Sequence, residues 1–321
     1  MTTYARAEAY APATAANLGV GFDIMGLALC EPGDVVRVEL ASTEQNGGSG
    51  VRVMGITGDA GRLTYDADKN TAAISANEVL KTLGVPHRVN LWLDKGLPLG
   101  SGLGSSAASA VAGALAVNAL FGEPLTLDEL LSAAMEGEAA VSGYHADNVG
   151  PCLFGGITLI GGLSADQIYR LPVPKRLVLA LVTPNVEVLT ALARSVLPKT
   201  VTMRQMIAQT AAVARLVDAL HRGDIATMAA AMESDGIIEP ARAHLMPMLA
   251  EVRAAAKTAG ALGVVISGAG PTLCAVCDDE AIAQEAAEAM QAVYDAAGIG
   301  ATACATRVAA DGVGARVLKV E

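Results

Sequence analysis

Hydrophobic and polar positions alternate most clearly over residues 35–40, Val-Val-Arg-Val-Glu-Leu, which predicts a half-exposed strand. Weaker alternation over 4–10, ahead of Ala11-Pro12-Ala13-Thr14, predicts an earlier strand followed by a polar-bearing turn. The Gly-rich polar tract 42–50 reads as a hairpin loop, with 51–54 returning as a strand and giving the chain an antiparallel start. Asp68-Lys69-Asn70-Thr71 leads a helical stretch over 72–83, which Gly84-Val85-Pro86 stops before a strand at 88–93. Residues 105–121 are good helix formers and small on nearly every face, so this helix is expected to be buried on several sides. Another helix over 127–142 precedes a short apolar strand within 155–162.

A proline-bearing connection at 170–175, followed by a strand at 176–182, divides the chain near residue 170 into a domain at 1–169 and another at 170–321. Helices are expected near 189–196, 202–221, 224–234, 243–259 and 279–297. Strands at 263–267 and 272–277 flank Gly268-Ala269-Gly270-Pro271. Strands and helices do not alternate regularly, so the class is α+β rather than a doubly wound parallel sheet.

Composition narrows the function. A chain of 321 residues with 52% hydrophobic and 17% charged residues can bury a substantial core and lies far from disordered compositions. A net charge of −11 without a dense basic cluster argues against nucleic-acid binding, which relies on Lys and Arg neutralising phosphates. The opening Met-Thr-Thr-Tyr-Ala-Arg-Ala-Glu lacks a basic-then-apolar pattern, and Asn118 breaks the longest apolar stretch. Neither export nor a membrane partner is therefore expected. Five cysteines suit a reducing compartment, which places the chain in the cytoplasm. Cys274 and Cys277 are spaced so that a strand sends them to opposite faces, which disfavours a redox or metal pair.

The segment Leu97-Pro98-Leu99-Gly100-Ser101-Gly102-Leu103-Gly104-Ser105-Ser106-Ala107-Ala108-Ser109 sets three glycines two apart directly before a helix. Glycines let the backbone approach an anion, and the helix N-terminus offers unpaired N–H groups and a favourable dipole, making this a phosphate cradle. A flexible Gly/Ser connection would use similar residues, but Pro98 and the apolar flanks disfavour it. No Gly-Lys-Ser/Thr follows, which excludes a Walker A loop. The third glycine falls one residue early for a dinucleotide fingerprint.

The pattern Pro-x-x-x-Gly-Leu-Gly-Ser-Ser-Ala resembles the ATP loop of the GHMP kinases. Two further segments, residues 12–23 and 267–272, are similar to that family near the two ends of the chain. His145-Ala146-Asp147-Asn148-Val149, Pro184-Asn185 and Pro240-Ala241-Arg242 resemble the branch whose substrate is L-homoserine. Ala16 departs from the family, which often has Ser there. The resemblance implies two domains, the first like domain 2 of ribosomal protein S5 and the second a ferredoxin-like α/β sandwich. It also implies phosphoryl transfer from ATP with Mg²⁺ to the hydroxyl of L-homoserine, a step of threonine biosynthesis, in a homodimer.

The same resemblance assigns roles. Pro98 to Ala108 would hold ATP, with Asn70 near the base, although Asn70 could equally be a helix cap. Ser106 and Glu138 would hold Mg²⁺, with Glu136 as the rival carboxylate. Arg194 and Arg242 would grip the substrate carboxylate, Asp23 the ammonium, and Asn17 and Asn148 would orient the amino group and the reacting hydroxyl. Asp147 and His145 are the candidates for a general base, though phosphoryl transfer can proceed by positioning and charge stabilisation alone. The rival functions are a kinase of another alcohol, such as mevalonate, and a catalytically silent ATP-binding sensor. Asp23 with two arginines argues against the first, and Ser106, Glu138 and Asn148 against the second.

Overall fold

The structure is a computed structural model that describes residues 2–41, 49–310 and 312–321. The first half runs β1 (Arg6–Ala16), β2 (Met25–Leu40), β3 (Gly50–Thr57), α1 (Thr71–Leu83), β4 (Arg88–Asp94) and α2 (Ser105–Leu120). It continues through α3 (Leu127–Ala139), α4 (Ala146–Phe154), β5 (Ile157–Ile160) and β6 (Ile168–Leu171). The second half contains β7 (Val178–Pro184), α5 (Thr190–Ser195), α6 (Met203–Arg222), α7 (Ile225–Met232) and α8 (Ile238–Arg242). It ends with α9 (Leu249–Thr258), β8 (Gly263–Ile266), β9 (Leu273–Cys277), α10 (Glu280–Ala296), β10 (Ala301–Thr306) and β11 (Arg316–Val320).

The first sheet has the order β11-β1-β2-β4-β3, with β5 and β6 extending from β2. Helix α2 lies against it, and its residues from Ala107 to Leu120 are all buried, as an almost wholly small and apolar sequence requires. The second sheet, β10-β7-β9-β8, is antiparallel throughout. Counted along this half its order is 4-1-3-2, the split arrangement of ferredoxin-like sandwiches. One face packs on α9 and α10, and the other joins the larger core. Cys277 belongs to the first of these clusters and Cys274 to the second, on opposite sides of β9, and neither forms a disulfide.

Several sequence expectations are corrected. β1 continues through the expected turn to Ala16, and β2 begins at Met25 rather than near residue 35. Residues 11–16 are buried on both faces, so the alternation that marks a half-exposed strand disappears there. The pairing of the two strands shifts register between Pro12 and Thr14, which accommodates the prolines. The hairpin loop expected over 42–50 lies mostly outside the described residues. β3, however, does not return against β2; it pairs in parallel with β4, which lies between them. The helix expected over 243–259 is broken by Met248 in the left-handed region, and α9 starts only at Leu249. Helix α4 and the strands β6, β10 and β11 were not expected. β11 carries a chain end from the second half back beside β1. Among the described residues no helix is long and apolar enough to cross a membrane.

Candidate functional site

The three glycine-bearing segments converge. Ser267 Oγ donates to the Gly102 carbonyl at 2.8 Å, Thr272 N–H to the Ser101 carbonyl at 3.1 Å, and Gly268 N–H to the Ala16 carbonyl at 3.1 Å. Asn17 completes the junction: its Nδ2 donates to the Gly268 carbonyl at 2.9 Å, and its Oδ1 accepts from Asp23 N–H at 3.0 Å. Both ends of the Asn17 amide thus hold loops together. Gly102 and Gly104 have φ of 80° and 63°, in the left-handed region that favours glycine. A Cβ on Gly102 would lie 2.4 Å from the Ser267 carbonyl oxygen, and one on Gly104 only 1.9 Å from Thr14 Oγ1. Helix α2 begins at Ser105 without a side-chain cap, so its N-terminal amides are left for another partner.

These loops form the floor of a cleft of about 470 Å³, lined by both halves of the chain and in the range of small-ligand sites. Gly100, Ser101, Gly102, Gly104, Ser105 and Ser106 of the glycine loop line it. So do Asn17, Asp23, Asn70, Glu138, Asp147, Asn148, Arg194 and Arg242. The loop's Pro98, Leu103, Ala107 and Ala108 are not among the lining residues, although Leu99 is. Leu103, Ala107 and Ala108 are buried in the core beneath. Asn70 is a helix cap, its Oδ1 accepting from Ala73 N–H, and it also lines the cleft.

At one end stand the charges an amino acid needs. Arg194 donates to both oxygens of Asp23, at 3.0 and 2.7 Å. Arg242 is buried and donates to the carbonyls of Ala193 and Gly268 at 3.0 and 3.1 Å, so it also fastens α5 to the second glycine loop. The Phe22 ring lies 5.4 and 5.2 Å from the two guanidinium carbons. Asp147 and Asn148 occupy the first turn of α4, and Thr14 Oγ1 donates to Asn148 Oδ1 at 2.7 Å, leaving the Asn148 amide N–H groups free to face a ligand. Burial pushes the Asp147 carboxyl up to about 7, with Asp23 adding to the rise and Arg194 opposing it. Burial and Arg194 lower His145, which lies 3.7 Å from Asp23.

Glu138, which also lines the cleft, is almost wholly buried. Ser142 donates to its Oε1, and its Oε2 has no hydrogen-bond partner among the described residues. Burial raises its pKa, against the hydrogen bond from Ser142, the nearby Ser106 hydroxyl and the charge of Lys95. An unsatisfied buried carboxylate oxygen beside serine hydroxyls is a hard-oxygen set that fits Mg²⁺, which takes few protein ligands. Glu136 instead accepts from the exposed Tyr144 hydroxyl at 2.8 and 2.9 Å.

Sequence reasoning missed Lys95, which lines the cleft next to the glycine loop. Its ammonium is buried against Asp34 and donates to Ser105 O and Ser109 Oγ, both at 2.9 Å. A lysine two residues ahead of Leu97 was a usable signal; its partner Asp34, 61 positions earlier, gave none. Thr14 and Phe22 lie within the family-like segment 12–23 but were not singled out, because neither carries a charge or an amide that marks it for substrate contact.

The chain matches the model of the GHMP kinases N terminal domain over residues 70–156 and that of the GHMP kinases C terminal over residues 216–296. It is 40% identical over 293 residues to a homoserine kinase of Chlorobium phaeovibrioides, covering 89% of this chain and 91% of that one. It is 42% identical over 316 residues to a homoserine kinase of Arabidopsis thaliana, covering 97% and 84%. The crystal structure of homoserine kinase from Cytophaga hutchinsonii superposes with a TM-score of 0.91 at 42% identity, covering 99% of both chains.

Proposed function

Since the chain belongs to the homoserine kinases of the GHMP kinase family, we propose that its cleft transfers the γ-phosphoryl group of ATP to the hydroxyl of L-homoserine, giving O-phospho-L-homoserine and ADP for threonine biosynthesis. The observation that carries this reading is the joining, in one cleft, of the charges of an amino-acid site at Asp23, Arg194 and Arg242 to a glycine loop with an uncapped helix N-terminus.

In this reading the loop from Pro98 to Ala108 wraps the triphosphate, the residues after Pro98 offering backbone N–H groups, and Asn70 borders the base. Ser106 and Glu138 would hold Mg²⁺, which supplies charge neutralisation on the phosphates. Asp23 receives the substrate ammonium and Arg194 and Arg242 its carboxylate; Asn17 positions Asp23 by fixing its loop. The Asn148 amide, oriented by Thr14, aligns the hydroxyl for in-line attack. Positioning and charge stabilisation carry the transfer, and Asp147 is the acceptor available if the hydroxyl proton leaves early.

Division of the chain near residue 170, cytoplasmic residence and assembly as a homodimer belong to the same proposal; light scattering on the purified protein tests the last. The deciding experiment is an ADP-release assay with ATP, Mg²⁺ and homoserine, mevalonate, galactose or serine. Selective turnover of homoserine is expected, and selectivity for mevalonate or galactose would overturn the reading.

A further inference from the structure

Arg62 and Glu187 belong to none of the motifs above, yet both line the cleft. Arg62 follows β3 in a tight turn, where Asp59 accepts from the amides of Gly61 and Leu63 at 3.1 and 2.9 Å and so fixes the backbone on both sides of the arginine. Glu187 lies between β7 and α5, in a segment fastened to the glycine loop by Val188 N–H donating to the Gly100 carbonyl at 3.2 Å. Its stem rests on that loop: a Cβ built on Gly100 would fall 2.4 Å from Glu187 Cγ. Arg62 Nη2 donates to both Glu187 oxygens, at 2.8 and 2.7 Å. The pair therefore bridges the two halves of the chain over the loop assigned to ATP.

As a structural strap this pair is poor. The two side chains are 50% and 39% exposed, and ion pairs so open to water are screened and contribute little to stability. As a binding device it has a clear logic. A guanidinium matches phosphate oxygens as well as it matches a carboxylate, and a polyanionic nucleotide attracts Arg62 while repelling Glu187. The small net worth of the pair also means that a competing anion can take the arginine at little cost.

We propose that Arg62 is a nucleotide-binding residue that Glu187 holds over the glycine loop and yields to the nucleotide's phosphates. Glu187 is then a positioning residue that keeps Arg62 oriented in the free enzyme and lowers ATP affinity by competing for it. This inference rests on the reading that residues 98–108 bind ATP.

Calorimetric titration of ATP into the parent, Arg62→Gln, Glu187→Gln and the double variant tests it, alongside KM for homoserine. Arg62→Gln is expected to weaken ATP binding roughly tenfold, and Glu187→Gln to tighten it about threefold. Glu187→Gln should have a smaller effect when Arg62 is already Gln, and KM for homoserine should stay near the parent value in all four proteins. A strap would move both single variants in the same direction, so weaker ATP binding in both would overturn the inference. Unchanged affinity in Arg62→Gln would overturn it equally. ATP binding by the parent with either of those outcomes removes only this inference, whereas a parent that does not bind ATP removes the loop assignment beneath it as well.

Discussion

Arg194 holds Asp23 by two hydrogen bonds of 3.0 and 2.7 Å across 171 positions of sequence, so the cation and the anion expected to meet the substrate's two charges meet each other. Their side chains are 30% and 27% exposed, open enough for a ligand to reach. A zwitterion can enter by turning one ion pair into an alternating four-charge arrangement, whereas an uncharged alcohol would have to separate Arg194 from Asp23 without replacing either partner. On the proposed assignment the pair would discriminate against uncharged alcohols before any contact with the reacting hydroxyl is made.

Asp23→Asn and Arg194→Gln are each expected to raise KM for homoserine by roughly tenfold or more, since charge-assisted hydrogen bonds are involved, and to leave KM for ATP nearly unchanged. The double variant should lose less than the sum of the two, because each single variant leaves the other charge unpaired. Initial rates at saturating ATP measure this coupling. Strict additivity would show that the two groups do not share a ligand.

The glycine loop gives a second test. Gly104 has φ of 63°, and a Cβ there would collide with Thr14 Oγ1, the donor that orients Asn148. Gly104→Ala therefore strains the backbone by about 1–3 kcal/mol and displaces the Thr14–Asn148 hydrogen bond together. The expected result is a lower melting temperature with weakened ATP binding and a fall in kcat, read by circular dichroism, calorimetry and steady-state rates. Normal ATP affinity in a folded variant would remove this loop from the nucleotide site.

Much of this site was legible because its chemistry is local in sequence. Three glycines before a small-residue helix announce an anion cradle, and the short segments around Asn17, Asn148 and Gly268 each carry their own pattern. Pairings between distant positions were not legible. Nothing near Arg194 indicates that Asp23 lies across from it, and nothing near Lys95 points to Asp34. The fold failed to show where burial erased periodicity, as in residues 11–16, and where pairing order depends on the whole sheet, as with β4 entering between β2 and β3. The preference for Glu138 over Glu136, two residues apart, came from the resemblance; the structure adds that Glu136 sits on an exposed tyrosine while Glu138 lines the cleft.

Glu138 should show opposite effects on stability and turnover. Burial raises its pKa above the unfolded value, so the native protein retains a proton that the unfolded chain has lost. Its contribution to stability falls as pH rises above the unfolded pKa, and the full penalty is present once pH exceeds the folded value. Glu138→Gln removes that penalty, so without Mg²⁺ the variant should melt at a higher temperature than the parent at alkaline pH, with the difference shrinking in acid. Turnover should drop by about two orders of magnitude or more, because the metal's charge stabilisation is lost. Glu136→Gln should match the parent in both measurements. A large turnover loss in Glu136→Gln alone would reassign the metal carboxylate.

Beside His145, whose pKa is lowered by burial and Arg194, Asp147 is expected to contribute a pH dependence at the amino-acid end. Its carboxyl is pushed up to about 7, first by burial and then by Asp23, with Glu138 adding a smaller rise and Arg194 opposing both. Between the unfolded value near 4 and about 7 the native state binds a proton that the unfolded state does not, so stability falls as pH climbs through this window. Asp147→Asn abolishes the linkage, and its melting temperature relative to the parent should rise from pH 5 to pH 8. The incoming ammonium favours the ionised carboxylate, so kcat/KM for homoserine in the parent should increase with pH up to about 7, and Asp147→Asn should lack that limb. The size of the kcat change at pH 8 then separates two roles. A general base contributes roughly 10²–10⁴-fold, whereas a group that only tunes the field around Asp23 contributes far less. Transfer driven by positioning predicts a kcat loss of less than about tenfold in Asp147→Asn. A hundredfold loss, with homoserine affinity retained, would instead identify Asp147 as the proton acceptor for the attacking hydroxyl.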